Sequence, residues 1–336
     1  MLLVTGVILA AFLSRKTPSA APVTYNTALS IMNSTLGFER VLVVSNGTAW
    51  RWNGIQKAAN FTGFKVQAPT QPHWSTADID EFRGSDIFGH DKTIRRGEAR
   101  AWVLHLQTIY QIVHYRFATT LILEDDADWD ISIKQQLSRV APLIHQVTGS
   151  NQRGGESPYG DAWDLLWFGH CYDTIPSTIP ASYLDETLPS SPLYRENSGG
   201  YTLFPQRLRM VYMSEAPACV YAYALTYSAA TKINQLAREF AGHPVKKHIS
   251  KQYRDWCKQG ILRCVTVNPE LFHDHKQAGE LGSEVKAVEG LPGARSPQNV
   301  SYTPNIRYSA WCNSNSAKLV TCQAENGDES SLQNWC

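Results

Sequence analysis

Five carboxylates fall within seven residues of this chain: Glu124, Asp125, Asp126, Asp128 and Asp130. They follow the apolar, β-branched run Thr119-Thr120-Leu121-Ile122-Leu123, which reads as a buried strand. If the chain stays extended, alternation places Glu124, Asp126 and Asp128 on one side. Carboxylates packed this closely repel one another, and one of them protonates unless a cation sits among them. Oxygen-only donors select a hard ion, Mg²⁺, Mn²⁺ or Ca²⁺. Mg²⁺ takes one or two carboxylates and fills its shell with phosphate oxygens, which is the arrangement that holds a nucleotide diphosphate leaving group. The competing explanation is a solvated strand end or a structural Ca²⁺ loop. Against the latter, the Gly-centred twelve-residue loop of an EF-hand is missing and Trp129 interrupts the acids.

Such a cluster needs a sheet to present it. Arg40–Ser45 reads as a first strand, with Asn46-Gly47 as turn material. A helix over 53–61 and a short strand at 64–66 then complete a β-α-β opening typical of nucleotide-binding sheets. Residues 69–96 read as a loop with a short helix at 76–83. Trp102, Leu106, Ile109 and Val113 recur at helical spacing and predict a helix over 97–115 that leads into the acidic strand. A second amphipathic helix is expected over 131–147, and strands at 163–168, 218–225 and 263–267 alternate with helices at 228–240 and 249–257. Residues 173–215 are rich in Pro, Ser, Tyr and Gly, the composition of a lid or binding loop on the acceptor side. From 286 to 336 Gly, Pro, Asn and Ser dominate, giving an irregular or disulfide-stapled tail.

The chain has 336 residues, 43% hydrophobic and 18% charged, enough for one large α/β domain. Lys and Arg total 31 against 30 Asp and Glu, and no basic run occurs, so nothing calls for nucleic acid. Met1–Leu13 is apolar and Arg15-Lys16 follows it. Residues 1–16 therefore read as a signal peptide or a truncated signal anchor, with 17–36 as a stem. That segment is the expected membrane contact, and it directs the rest to the lumen of the endoplasmic reticulum or Golgi, or outside the cell. Sequons at Asn33, Asn46, Asn60 and Asn299 agree. Seven cysteines without a CxxC pair suggest disulfides, with Cys257–Cys264 and Cys312–Cys322 as nearest-neighbour pairs.

GEARAWVLH (97–105), LILEDDADW (121–129), DLLWFG (164–169), YAYALTYSAATKI (221–233) and NPELFHDH (268–275) occur in an order that resembles glycosyltransferase family 25. That family includes lipooligosaccharide and collagen galactosyltransferases; the fungal secretory branch is the most similar, and the resemblance spans about residues 37–285. It implies a single GT-A type domain, a Rossmann-like mixed sheet flanked by helices. It further implies an inverting transfer of galactose or glucose from a UDP-hexose to a glycan or glycoprotein acceptor, with Mn²⁺ or Mg²⁺ as cofactor. Carried over by position, Glu124 and Asp126 would bind metal or diphosphate, with Asp128 a further group near the ion. His273 or His275 would approach from the C-terminal side. Val44, Arg51, Gly97, Glu98, His105 and Asp125 would shape the donor pocket. Where the family shows an R-x-D-R pattern this chain reads Ala49-Trp50-Arg51-Trp52, the Ser before His105 is Leu104, and an expected Asp is Ser250.

Inverting transfer requires a carboxylate or His within reach of the acceptor hydroxyl. Asp164 and Asp255 are the candidates for that base, each equally readable as a turn or surface residue. His105 lies one step off the apolar stripe of its helix and reads equally as a core histidine. Trp50 and Trp52 could stack on uracil, although packing beneath the loop is the commoner fate. Two other classes compete: a non-catalytic carbohydrate-binding relative of the same fold, and a two-metal phosphoesterase. The phosphoesterase would need further carboxylates or His from other strands.

Overall fold

Strand β2 (Thr119–Glu124) lies inside a mixed sheet, and its alternation divides the core in two. Leu121 and Leu123 face one layer of buried side chains while Ile122 faces the other. A strand buried on both sides therefore has no polar face, as its apolar run requires. In this computed structural model the chain is described at residues 30–84, 94–150, 157–178, 180–189, 193–195, 201–238, 247–288, 290–291 and 301–321. The segment 1–16 and most of the stem lie outside them, as do Asn299 and Cys322. No helix among the described residues is long and apolar enough to cross a membrane.

The other strands of this fold are β1 (Arg40–Val44), β3 (Ala127–Trp129), β4 (Leu165–Gly169), β5 (Ala181–Leu184), β6 (Leu193–Arg195), β7 (Tyr201–Leu203), β8 (Leu208–Met213), β9 (Ala222–Thr226), β10 (Cys264–Asn268) and β11 (Phe272–Asp274). The seven-stranded sheet has the order β1-β2-β9-β4-β10-β8-β5. Strand β1 runs parallel to β2, and β4 parallel to β10; β9 runs antiparallel to both β2 and β4. Five strands, β1, β2, β4, β10 and β5, thus point one way, and the carboxyl ends of β1, β2, β4 and β10 share one edge. The helices are α1 (Ala49–Phe61), α2 (Thr76–Phe82), α3 (Arg96–Tyr115), α4 (Ile133–Thr148), α5 (Tyr227–Arg238), α6 (Ile249–Lys258), α7 (Glu284–Val288) and α8 (Ala310–Ser314). On one face α1, α4 and α8 bury Ile55, Leu137, Val140 and Trp311. On the other, α3, α5 and α6 bury Trp102, Ile109, Ile233 and Tyr253. This is a Rossmann-like α/β architecture with helices on both faces, as the sequence predicts.

One expectation is corrected here. The 173–215 segment is not an irregular lid: β8 and β5 extend the main sheet and β6 pairs with β7. Arg209 fixes this region from within, donating to Asp185 Oδ2 at 2.6 Å and to the carbonyls of Pro269 and Glu270. The described part of the tail, 301–321, is irregular apart from α8 and packs on the domain. Trp311 Nε1 donates to the Ala127 carbonyl at 2.9 Å, and the Ile131 N–H donates to the Tyr308 carbonyl. Gly54 of α1 lets α8 approach, since a Cβ there would fall 2.3 Å from the Trp311 ring. Cys257 and Cys264 are disulfide-bonded as spacing suggests, and Cys171 pairs with Cys219.

Candidate functional site

At the end of β2 the chain turns through Asp125 and Asp126 and re-enters as β3, which pairs antiparallel with β11. This turn and β11 bring Glu124, Asp125, Asp126 and Asp274 to the floor of a cavity of about 670 Å³. One wall is the first turns of α3, with Gly97, Glu98, Leu104 and His105. The α3 start is set by the Glu98 carboxylate, which accepts from the Arg95 N–H at 2.8 Å as the distal half of a capping box. Val44 and Asn46 of the β1 end and Cys219–Tyr221 form further walls, and Ser283, Glu284 and Val285 cover the opposite side.

The floor is crowded with charge. Burial, then the Asp126 charge, pushes Glu124 up to about 8 and Asp125 up to about 7. Asp274 rises to about 7 through burial, which Lys276 only partly opposes. Two cations answer four acids. Arg51 Nη1 donates to Asp125 Oδ1 at 3.0 Å and to Asp126 Oδ2 at 2.5 Å. Lys276 Nζ lies 2.7 and 2.6 Å from the two Asp274 oxygens. Burial disfavours both cations, but these carboxylates hold them protonated, above their ordinary values. Arg51 and Lys276 lower Glu124 from a distance without overcoming its burial; His105 Nε2 stands 3.4 Å away, and burial lowers that imidazole to about 3. His105 Nδ1 is in turn held by Tyr223 Oη at 2.9 Å.

The donor set suits a hard divalent ion: all oxygen, and two negative charges in excess of the adjacent cations when every acid is ionised. Among the described residues no three Asp, Glu, His or Cys side chains already converge as a ready-made metal set. Asp126 and Asp274 instead face their cations, so an ion would have to share those oxygens with Arg51 and Lys276.

Of the predicted residues, Glu124, Asp125, Asp126, Val44, Arg51, Gly97, Glu98 and His105 all line the cavity. Asp128 does not. The turn at 125–126 breaks the extended alternation, and Asp128 is fully buried behind the floor, accepting from Thr303 Oγ1 at 2.5 Å, the Trp311 N–H and Ser309 Oγ. His273 and His275 also point away. His273 Nδ1 meets Glu270 Oε1 at 3.0 Å, and His275 bonds Thr303 and stacks on Trp311 at 4.4 Å. Alternation along β11 sends the intervening Asp274 to the cavity instead. That period of two was the signal that could have found Asp274, and Lys276 lies two residues further on the same side.

Asp164 precedes β4 and sits at the edge of the sheet opposite the cavity. Both its oxygens bind Lys232 at 2.9 Å, and it accepts from the Arg263 N–H. Asp255 lies on α6 against Lys247, which holds its carboxyl below the ordinary range. Neither lines the cavity, so neither is placed to deprotonate a ligand there. Trp50 and Trp52 pack against the core rather than facing the cavity, Trp50 edge-on to Trp311 at 6.0 Å.

No protein-family model matches the chain, and no curated protein matches it. A search of solved structures gives a mannose-1-phosphate geranyltransferase from Thermus thermophilus, 11% identical with a TM-score of 0.23. The alignment covers 77% of this chain and 63% of that one, less than two thirds of its length. A likeness this slight bears on neither fold nor function.

Proposed function

We propose that this chain is a glycosyltransferase of the family 25 type, moving a hexose, galactose or glucose, from a UDP-sugar to a glycan or glycoprotein acceptor. The observation that carries the reading is the gathering of Glu124, Asp125, Asp126 and Asp274 in a cavity at the carboxyl edge of the sheet, where Arg51 and Lys276 form the ion pairs with them among the described residues. Ligands of open α/β sheets collect at that edge. Mn²⁺ or Mg²⁺ would have to share Asp126 with Arg51 and Asp274 with Lys276. When bound, the ion offsets the charge that develops on the departing diphosphate.

The chain's own residues supply the rest. Arg100 and Lys286 line the cavity and suit the outer phosphate oxygens. Glu124 lines the cavity and would accept a hydrogen bond from a sugar hydroxyl, and Tyr223 holds His105 against it. In the transfer the bond from anomeric carbon to phosphate oxygen breaks, and the electron pair leaves with UDP. The acceptor oxygen forms the new bond at the anomeric carbon, and its proton passes to solvent, since neither Asp164 nor Asp255 lines the cavity to take it.

Release of UDP from UDP-galactose or UDP-glucose tests this, measured with Mn²⁺, with EDTA, and in Asp126→Ala. Turnover abolished by EDTA and by the substitution supports it; no turnover with any UDP-hexose defeats it. One contact favours a second reading, a sugar-binding relative without catalysis: Arg51 already occupies Asp126 at 2.5 Å. Sugar binding by calorimetry without UDP release would select that alternative.

A further inference from the structure

The cavity wall formed by residues 281–288 has little apolar attachment of its own. Helix α7 buries no residue fully. Its anchorage is polar, and it runs through the same two cations that answer the acidic floor. Arg51 reaches Asp125 and Asp126 with Nη1 and donates from Nη2 to the Leu281 carbonyl at 3.1 Å. Lys276 binds Asp274 and donates to the Gly282 carbonyl at 2.5 Å. Glu284 adds a third tie, accepting from Thr48 Oγ1 with Arg51 Nε 3.8 Å away. The segment also lies hard against α3: a Cβ on Gly97 would come within 2.2 Å of the Val285 carbonyl oxygen.

We propose that Arg51 and Lys276 are positioning residues, fastening the 281–288 segment across the cavity by holding a floor carboxylate on one side and a segment carbonyl on the other. The charge of the floor thereby sets the closure of the wall. Asp274 aims Lys276, and Lys276 fixes Gly282. Whatever draws either cation away from its carbonyl frees the segment. A phosphate-bearing ligand is the chemical class able to do so, since it competes for the same N–H donors. The attachment exists without any ligand; only its effect on turnover rests on the proposed transfer.

Amide hydrogen exchange across 281–288 tests this on the full chain without ligand. Lys276→Met should speed exchange there about tenfold, the worth of one charge-assisted hydrogen bond, while β2 and β4 amides stay protected. Lys276→Arg, which keeps charge and donor, should restore the slow rate. Gly97→Ala should speed the same amides by displacing the segment with no change of charge. Unchanged exchange in Lys276→Met, or no recovery in Lys276→Arg, overturns the proposal. If Lys276→Met unfolds the chain, Asp274→Asn carries the same expectation. With UDP-sugar present, Lys276→Met should raise KM by more than it lowers kcat. Absence of turnover would sink the transferase reading and leave the exchange result standing.

Discussion

Asp128 accepts a hydrogen bond from the Trp311 backbone N–H at 3.1 Å, across 183 residues of sequence. An acid two residues beyond Asp126 is thus spent on fastening the 301–321 segment to the back of the floor. Thr303 Oγ1, Ser309 Oγ and the Trp129 N–H fill its remaining acceptor sites.

Removing that acceptor leaves several buried donors unsatisfied. Asp128→Ala should therefore destabilise the chain by about 1–3 kcal/mol for each buried donor that finds no new acceptor. Urea unfolding monitored by tryptophan fluorescence measures it. A loss below about 1 kcal/mol would mean the acid behaves like a surface one.

The floor predicts a pH dependence with a definite sign. Glu124, Asp125 and Asp274 bind protons more tightly folded than unfolded, through burial first and mutual repulsion second where it contributes. The folded state then holds more protons than the unfolded one between the ordinary carboxylate values and about 7 to 8. Stability from these groups is complete below that window and declines as pH rises through it. Melting temperature in EDTA should fall from pH 5 to pH 8 on the order of those values. Mn²⁺ should flatten the slope if the acids take an ion, and an unchanged slope with Mn²⁺ would count against the metal.

How far the sequence reveals this site depends on which residues are local to it. The β-branched run and the acids after it were visible because a buried strand and a charge cluster are contiguous in sequence. The first turns of α3, near it in space, were reached through motif resemblance. Asp274, Lys276 and Glu284 were hidden because they come from separate segments after β10, which only the fold brings to β2. Asp128 departs for a different reason: extended alternation puts it beside Glu124 and Asp126, but the turn at 125–126 rotates the chain. The strands within 173–215 escaped because Pro, Ser and Gly separate runs of three to six residues, and the buried Arg209–Asp185 pair at 2.6 Å that ties them shows no local pattern.

His273 separates a metal role from a structural one. Glu270 is buried, which alone would raise it, yet the His273 imidazole beside it brings it down to about 2. A lowered carboxylate contributes stability that is present above its unfolded value and lost as pH falls toward the folded one, here below about pH 4.5. His273→Ala should remove that contribution, lowering stability near neutral pH and flattening its loss below about pH 4.5, while Mn²⁺ affinity by calorimetry stays unchanged. A marked loss of Mn²⁺ affinity would return His273 to the metal shell.

Asp164 offers the cleanest separation of site from scaffold. It lies at the edge of the sheet away from the cavity and is engaged by Lys232 and the Arg263 N–H. Lys232 is 43% exposed, so solvent screens much of that ion pair, and its worth is about 0–1 kcal/mol. The hydrogen bond to Arg263 adds about 1 kcal/mol. Asp164→Ala should cost that small sum in stability and leave kcat/KM for the donor within about twofold of the parent. Asp126→Asn should do the reverse: UDP release should fall by orders of magnitude, while relief of repulsion with Glu124, Asp125 and Asp274 offsets the lost contact with Arg51 and keeps the melting temperature near the parent's. A collapse of turnover in Asp164→Ala with retained folding would place the chemistry at the opposite edge of the sheet and overturn the assignment of the cavity.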